Sequence, residues 1–339
     1  MKKAMRIVLW ILAILASVSF VFSAVSRLVY HRSNAATAVE ISLRLKKANE
    51  TYSTKENAEQ YLKDLSGDKR AEYELPEDLK FAVDVKDMKV GETKVYLLND
   101  TGHNEKAVLY FPGGAYASQP TEGQWMFAQS LALAADAEVI VAVYPKVPQF
   151  TYKQAYADLQ QLIPMITAGY GWDNVSFVGD SSGGGLAAGY CEYLSYTGQR
   201  QPGNLILLSP WVDATLSNPK IDELAEVDPM LAPEGLRVFA EAWAGDTDLD
   251  YYQISPINGD VSGLRNVMIF SGTREIFYPD LMLFAQKLQN TGVDTTFYVG
   301  QGLNHNYPMH STPEGKKALA EIAAAIVGPD ATEEETSSD

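Results

Sequence analysis

The sequence predicts an α/β protein, a mostly parallel sheet flanked by helices, with an N-terminal transmembrane helix ahead of it. Three observations carry this. Strand-like and helix-like runs alternate from residue 107 to residue 327, one strand-to-helix junction reads Gly-x-Ser-x-Gly, and the first charge-free stretch is as long as a bilayer is thick.

After Lys2, Lys3 and Arg6, residues Ile7 to Ser26 carry no charge, and Arg27 closes the run. At about 1.5 Å per residue such a run spans about 30 Å. It outlasts a typical signal-peptide core, and Ala24-Val25-Ser26 is only a weak cleavage site. Residues 1–30 are therefore expected to be an uncleaved signal anchor, with secretion after cleavage as the alternative. Arg27, Arg32 and Arg44 lie beyond the run and nearly balance the basic start, so the positive-inside count favours neither end strongly. The preferred orientation puts the N-terminus in the cytoplasm and the folded body outside.

Residues 31–80 read as polar helices, Thr37 to Lys47 and Lys55 to Leu65, expected to form a stalk or a lid. The main domain is expected over 81–328. Phe81/Val83/Val85 and Val90 to Leu98 suggest two antiparallel strands. Strands then fall at Ala107–Phe111, Val139–Tyr144, Val175–Val178, Leu205–Leu208, Val267–Phe270 and Thr295–Val299. Helices fall at Gln124–Ala135, Thr151–Tyr170 (interrupted by Pro164), Leu186–Tyr196, Pro279–Thr291 and Gly315–Val327, and 214–255 reads as irregular or helical. The acidic tail 329–339 is expected to be disordered.

Composition narrows the function. The net charge is −16, although residues 1–47 hold eight Lys/Arg against Glu40 alone, so the body is strongly acidic. That argues against a nucleic-acid partner, which needs clustered Lys/Arg. A single cysteine, Cys191, excludes an intramolecular disulfide, and no Cys/His spacing suggests a metal site. Oligomeric state is left open.

In Val175-Ser176-Phe177-Val178-Gly179-Asp180-Ser181-Ser182-Gly183-Gly184-Gly185 a strand meets a tight turn and then a helical run. Gly179 and Gly183 leave room for a strained turn that thrusts the Ser181 hydroxyl outward above the positive end of the next helix. Gly-x-Gly-x-x-Gly and a Gly-Lys-Ser/Thr ending are both missing, so a phosphate cradle does not fit. A Gly-Asp-Ser-Gly-Gly protease motif would lack Ser182 and sit in an all-β chain. Ser181 is the expected nucleophile.

A nucleophilic serine needs a base, an orienting acid and donors for the developing oxyanion. Four histidines are available: His31, His103, His305 and His310. His305 follows the last strand and is the expected base. Glu275 follows the preceding strand and is the expected acid, with Asp280, near the start of a helix, as its competitor. Pro112-Gly113-Gly114-Ala115-Tyr116 follows the strand Ala107–Phe111, so the amides of Gly114 and Ala115, with that of Ser182, are the expected oxyanion donors.

The order Ser181, Glu275, His305, with this elbow and loop, resembles the hormone-sensitive-lipase-like branch of the α/β-hydrolases over roughly residues 105–328. Gly179-Asp180-Ser181-Ser182-Gly183-Gly184 resembles its Gly-Asp-Ser-Ala-Gly-Gly, and Pro112-Gly113-Gly114-Ala115 its His-Gly-Gly-Gly. Tyr144-Pro145-Lys146-Val147-Pro148 with Asp158, Ser209-Pro210-Trp211-Val212-Asp213 and Asp228-Pro229-Met230-Leu231 also fit. Pro112 stands where that branch has histidine, and Glu275 where it has aspartate. The resemblance implies the α/β-hydrolase fold, no cofactor, a small ester as substrate and an acyl-enzyme mechanism. Amide, peptide or glycan-acetyl cleavage on the same fold is the alternative, and a non-catalytic surface protein comes third.

Overall fold

Near-continuous apolar runs such as Val139–Val143 and Val175–Val178 are stable as strands only when both faces are covered. The computed structural model, which describes residues 2–67 and 73–328, satisfies that condition; the expected disordered tail lies outside these residues. Among the described residues eight strands form one sheet: β1 (Val85–Val90), β2 (Thr93–Leu98), β3 (Ala107–Phe111), β4 (Glu138–Val143), β5 (Val175–Asp180), β6 (Asn204–Leu208), β7 (Val267–Gly272) and β8 (Thr295–Gly300). Their spatial order is β1-β2-β4-β3-β5-β6-β7-β8. The strands β3 to β8 run parallel, and the β1–β2 hairpin joins antiparallel along β4.

The helices are α1 (Lys2–Ala24), α2 (Asn34–Leu45), α3 (Lys55–Gly67), α4 (Glu122–Ala135), α5 (Tyr152–Tyr170), α6 (Ser182–Tyr196), α7 (Lys220–Ala225), α8 (Pro233–Ala244), α9 (Tyr278–Asn290) and α10 (Pro313–Val327). Two apolar clusters cover the sheet faces. One gathers Phe111, Phe177, Leu207, Ile269 and α5, α6 and α9; the other gathers Tyr110, Val178, Phe270 and α4 and α10.

Two expectations change here. The first strand of the hairpin is Val85–Val90, not Phe81 to Val85: Phe81 and Val83 pack against the second cluster without entering the ladder, and the turn falls at Gly91 and Glu92. Pro164 does not interrupt α5, which runs through it. Its ring and the Gln160 carbonyl it leaves unpaired lie on the exposed face, where water can take over the lost hydrogen bond.

Met5–Val29 is, among the described residues, the one helical stretch long and apolar enough to cross a membrane, and its most apolar 18-residue window is not buried in the fold. The polar segment after it packs on the body. Tyr52 and Tyr61 meet Phe239 of α8 edge-on, and the Tyr61 hydroxyl lies 2.9 Å from Ser118 Oγ.

Candidate active site

The turn after β5 has the strain that its glycines foretell. Ser181 sits at φ 52° and ψ −123°, in a region L-residues rarely occupy, and α6 starts at the next residue. Neighbours hold it there: its N–H donates to Leu208 O at 2.9 Å, and its carbonyl accepts from Gly185 and Trp211. A Cβ on Gly183 would lie 2.0 Å from Phe111 O, and one on Gly179 2.5 Å from Gly183 O, so both positions demand glycine. Ser181 spends no side-chain hydrogen bond on capping α6, which leaves its hydroxyl for a 280 Å³ cavity. Gly114, Ala115 and His305 line the same cavity.

The loop after β3 turns through three left-handed residues, Gly114 (φ 128°), Ala115 (φ 50°) and Tyr116 (φ 60°). Its outer amides are engaged: Gly113 N–H donates to Asp180 Oδ1 at 3.0 Å and Tyr116 N–H to Ser182 Oγ at 3.2 Å. Among the described residues the amides of Gly114 and Ala115 donate to nothing. The Ser182 amide, in the first turn of α6, has no intrahelical acceptor. Three free donors therefore border Ser181, at the positive end of a helix.

His305 is 2% exposed, and its Nδ1 lies 2.5 Å from Glu275 Oε2. The other oxygen of Glu275 accepts from Gly272 N–H at 3.0 Å, Ser209 Oγ at 2.9 Å and Ser271 Oγ. Both carboxylate oxygens are thus oriented inside a fully buried site. Burial alone would lower the His305 pKa, but the Glu275 carboxylate overrides it and holds the imidazole above the ordinary histidine value. Asp280 is not brought to His305. It lies in the first turn of α9, where Oδ1 accepts from Asn218 at 2.7 Å, and burial pushes its carboxyl up to about 6. His310 shares the cavity wall, His103 is exposed in its turn, and His31 lines a separate cavity beside Glu314.

Two residues that organise the site were not read from the sequence. Asp180, 1% exposed, accepts from Tyr110 Oη (2.6 Å), Gly113 N–H (3.0 Å), Gln124 Nε2 (3.1 Å) and Asn306 Nδ2 (3.0 Å). It ties β3, the 112–116 loop, α4 and the His305 loop together, which explains how the 112–116 loop holds its shape with Pro112 in place of an imidazole. Burial pushes its carboxyl up, and the donors oppose that shift. Glu40 of α2 accepts from Arg274 Nε and Nη2 at 3.0 Å each, from Arg32 at 2.5 Å and from Arg44 at 2.9 Å. Arg32 also donates to Gly302 O in the histidine loop. A flanking signal existed for Asp180, which stands between Gly179 and Ser181. None existed for Glu40, whose partner Arg274 is 234 residues away.

An eight-stranded, mostly parallel sheet with a strained serine at a strand–helix elbow, and with a carboxylate-bound histidine on the same cavity, defines a hydrolase-type scaffold. Residues 108–309 match the family described as alpha/beta hydrolase fold, and the chain belongs to that family. It is 26% identical to an acetyl-hydrolase of Streptomyces hygroscopicus, over 70% of this chain and 80% of that one. A solved putative esterase from Staphylococcus aureus superposes with a TM-score of 0.79 at 30% identity, covering 84% of this chain and 96% of that one. A hormone-sensitive lipase from a metagenome library gives 0.69 at 25% identity, covering 81% and 98%. The chain is a carboxylesterase-like enzyme of the alpha/beta hydrolase family.

Proposed function

We propose that the chain hydrolyses carboxylic esters through an acyl-enzyme formed on Ser181. The observation that carries this is the 2.5 Å contact between His305 Nδ1 and Glu275, on the cavity into which Ser181 opens. Ser181 Oγ attacks the ester carbonyl while His305 takes its proton. Glu275 fixes the ring so that Nε2 is the free acceptor and steadies the imidazolium. The amides of Gly114, Ala115 and Ser182 stabilise the tetrahedral oxyanion, each donor being worth roughly 10²–10³ in rate. His305 returns the proton to the departing alcohol, and water repeats the sequence to free the acid. The reading is supported by relatives that bear the names esterase and acetyl-hydrolase.

Residues 1–30 serve as the membrane anchor, with the body outside the cytoplasm, and 31–80 form a segment that helps wall the cavity through Ala48 and Tyr52. The direct test is hydrolysis of short p-nitrophenyl esters by the full chain. Activity should be lost in Ser181→Ala, and turnover that survives the substitution contradicts the proposal.

A further inference from the structure

The cavity holding Ser181 and His305 also carries polar atoms that acyl transfer does not use. Asn306 Oδ1, His310 Nε2 and Gln119 Oε1 are buried, unpartnered and on this one cavity's wall. A buried polar atom without a partner costs free energy that a ligand's complementary group recovers.

The network fixes what these atoms offer. Asn306 Nδ2 donates to the Asp180 carboxylate at 3.0 Å, so the Asn306 atom left over is its carbonyl oxygen, an acceptor. Burial pushes the His310 imidazole below the ordinary histidine value, and its ring N–H donates to the His305 backbone carbonyl, which leaves Nε2 as a lone pair. The Gln119 carboxamide can present either end. Two of the three groups thus ask for hydrogen-bond donors on the ligand.

Position tells which half of the ester they face. His305 must reach the leaving oxygen to protonate it, and Asn306 and His310 sit on the same loop as His305. We infer that Asn306, His310 and Gln119 form a leaving-group subsite for an alcohol that bears further hydroxyls, a polyol or sugar. This rests on the acyl-enzyme reading above. As the Ser181 Oγ–acyl bond forms, the bond from the acyl carbon to the polyol oxygen breaks. The Ser181 proton passes through His305 to that oxygen, and water later hydrolyses the acyl-enzyme. An apolar pocket discriminates by only about 10–200-fold, whereas unmet hydrogen-bonding groups can reject an analogue lacking hydroxyls by on the order of 10⁴.

The test compares glycerol monoacetate with propyl acetate, the same skeleton without free hydroxyls, on the full chain in detergent. kcat/KM should be higher for glycerol monoacetate by about tenfold or more. Gln119→Leu and His310→Phe, on separate loops, should each lower that ratio, and His310→Gln, which keeps an acceptor, should restore part of it. Circular dichroism checks that each variant is folded. A ratio of one or below, or a ratio that neither substitution moves, overturns the subsite while hydrolysis still depends on Ser181. Hydrolysis that does not depend on Ser181 overturns the acyl-enzyme reading, and the subsite with it.

Discussion

Arg274, the residue immediately before Glu275, grips Glu40 with two hydrogen bonds of 3.0 Å. The segment that follows the apolar N-terminal helix is thereby bolted to the loop carrying the acid that orients His305. Arg32 on the same carboxylate reaches Gly302 O at 2.7 Å, and Arg44 reaches Val227 O at 2.6 Å. One buried carboxylate links three loops around the cavity.

Glu40→Ala should therefore destabilise the chain, by about 3–5 kcal/mol, because it strands the buried Arg32 guanidinium without its anion. Thermal denaturation reads this directly. Burial pushes the Glu40 carboxyl up, but Arg274 and Arg32 outweigh it and hold it below its ordinary 4.5. A folded value below the unfolded one means that the contribution is fully present at neutral pH and is lost as pH falls through the folded value. The stability gap between wild type and Glu40→Ala should accordingly narrow in acid. A gap that does not change below pH 4.5 would contradict the assignment.

Glu275→Gln should leave the fold largely intact and lower kcat by roughly 10⁴, as expected for an imidazole left in the wrong tautomer. Activity requires neutral His305, so its rising limb should lie above the ordinary histidine value in the wild type. Without the carboxylate, burial prevails and the residual activity should rise at lower pH. A pH–kcat/KM profile with an unmoved limb would count against Glu275 as the partner.

Asp280→Asn should keep kcat within a small factor of wild type, since Asp280 bonds to Asn218 and not to His305. Burial raises its carboxyl from 3.8 to about 6, so ionisation of the folded chain costs stability as pH climbs between those values. The asparagine variant escapes that loss. Its melting temperature should gain on the wild type across that window and hold the gain above it.

Asp180→Ala should unsettle the 112–116 loop from within. It leaves Tyr110, Gln124 and Asn306 without their common acceptor, at about 1–3 kcal/mol for each unmet buried group. Denaturant titration should show the loss, and Asp180→Asn, which keeps an acceptor oxygen, should recover part of it. Equal midpoints for the alanine variant and the wild type would contradict the hub role.

The parts legible in the sequence were those written locally. The elbow is a strand, a glycine turn and a helix within a dozen residues, and the Glu275 and His305 loops each follow an apolar strand. What escaped was non-local. The partners of Asp180 come from residues 110, 113, 124 and 306, and Glu40 meets Arg274 only after the sheet has closed. The sequence points to the Ser182 amide, whereas its hydroxyl also pins Tyr116 in the 112–116 loop. Pro164 reads as a helix break because local propensity ignores which face of a helix meets water.

The central claim is that Ser181 is the activated nucleophile. Treating the full chain with a fluorophosphonate probe and mapping the adduct by mass spectrometry tests it most directly. One adduct is expected on Ser181, abolished in Ser181→Ala and much slower in His305→Ala, with circular dichroism unchanged in both. An adduct on Ser182, or labelling that persists in Ser181→Ala, would contradict it.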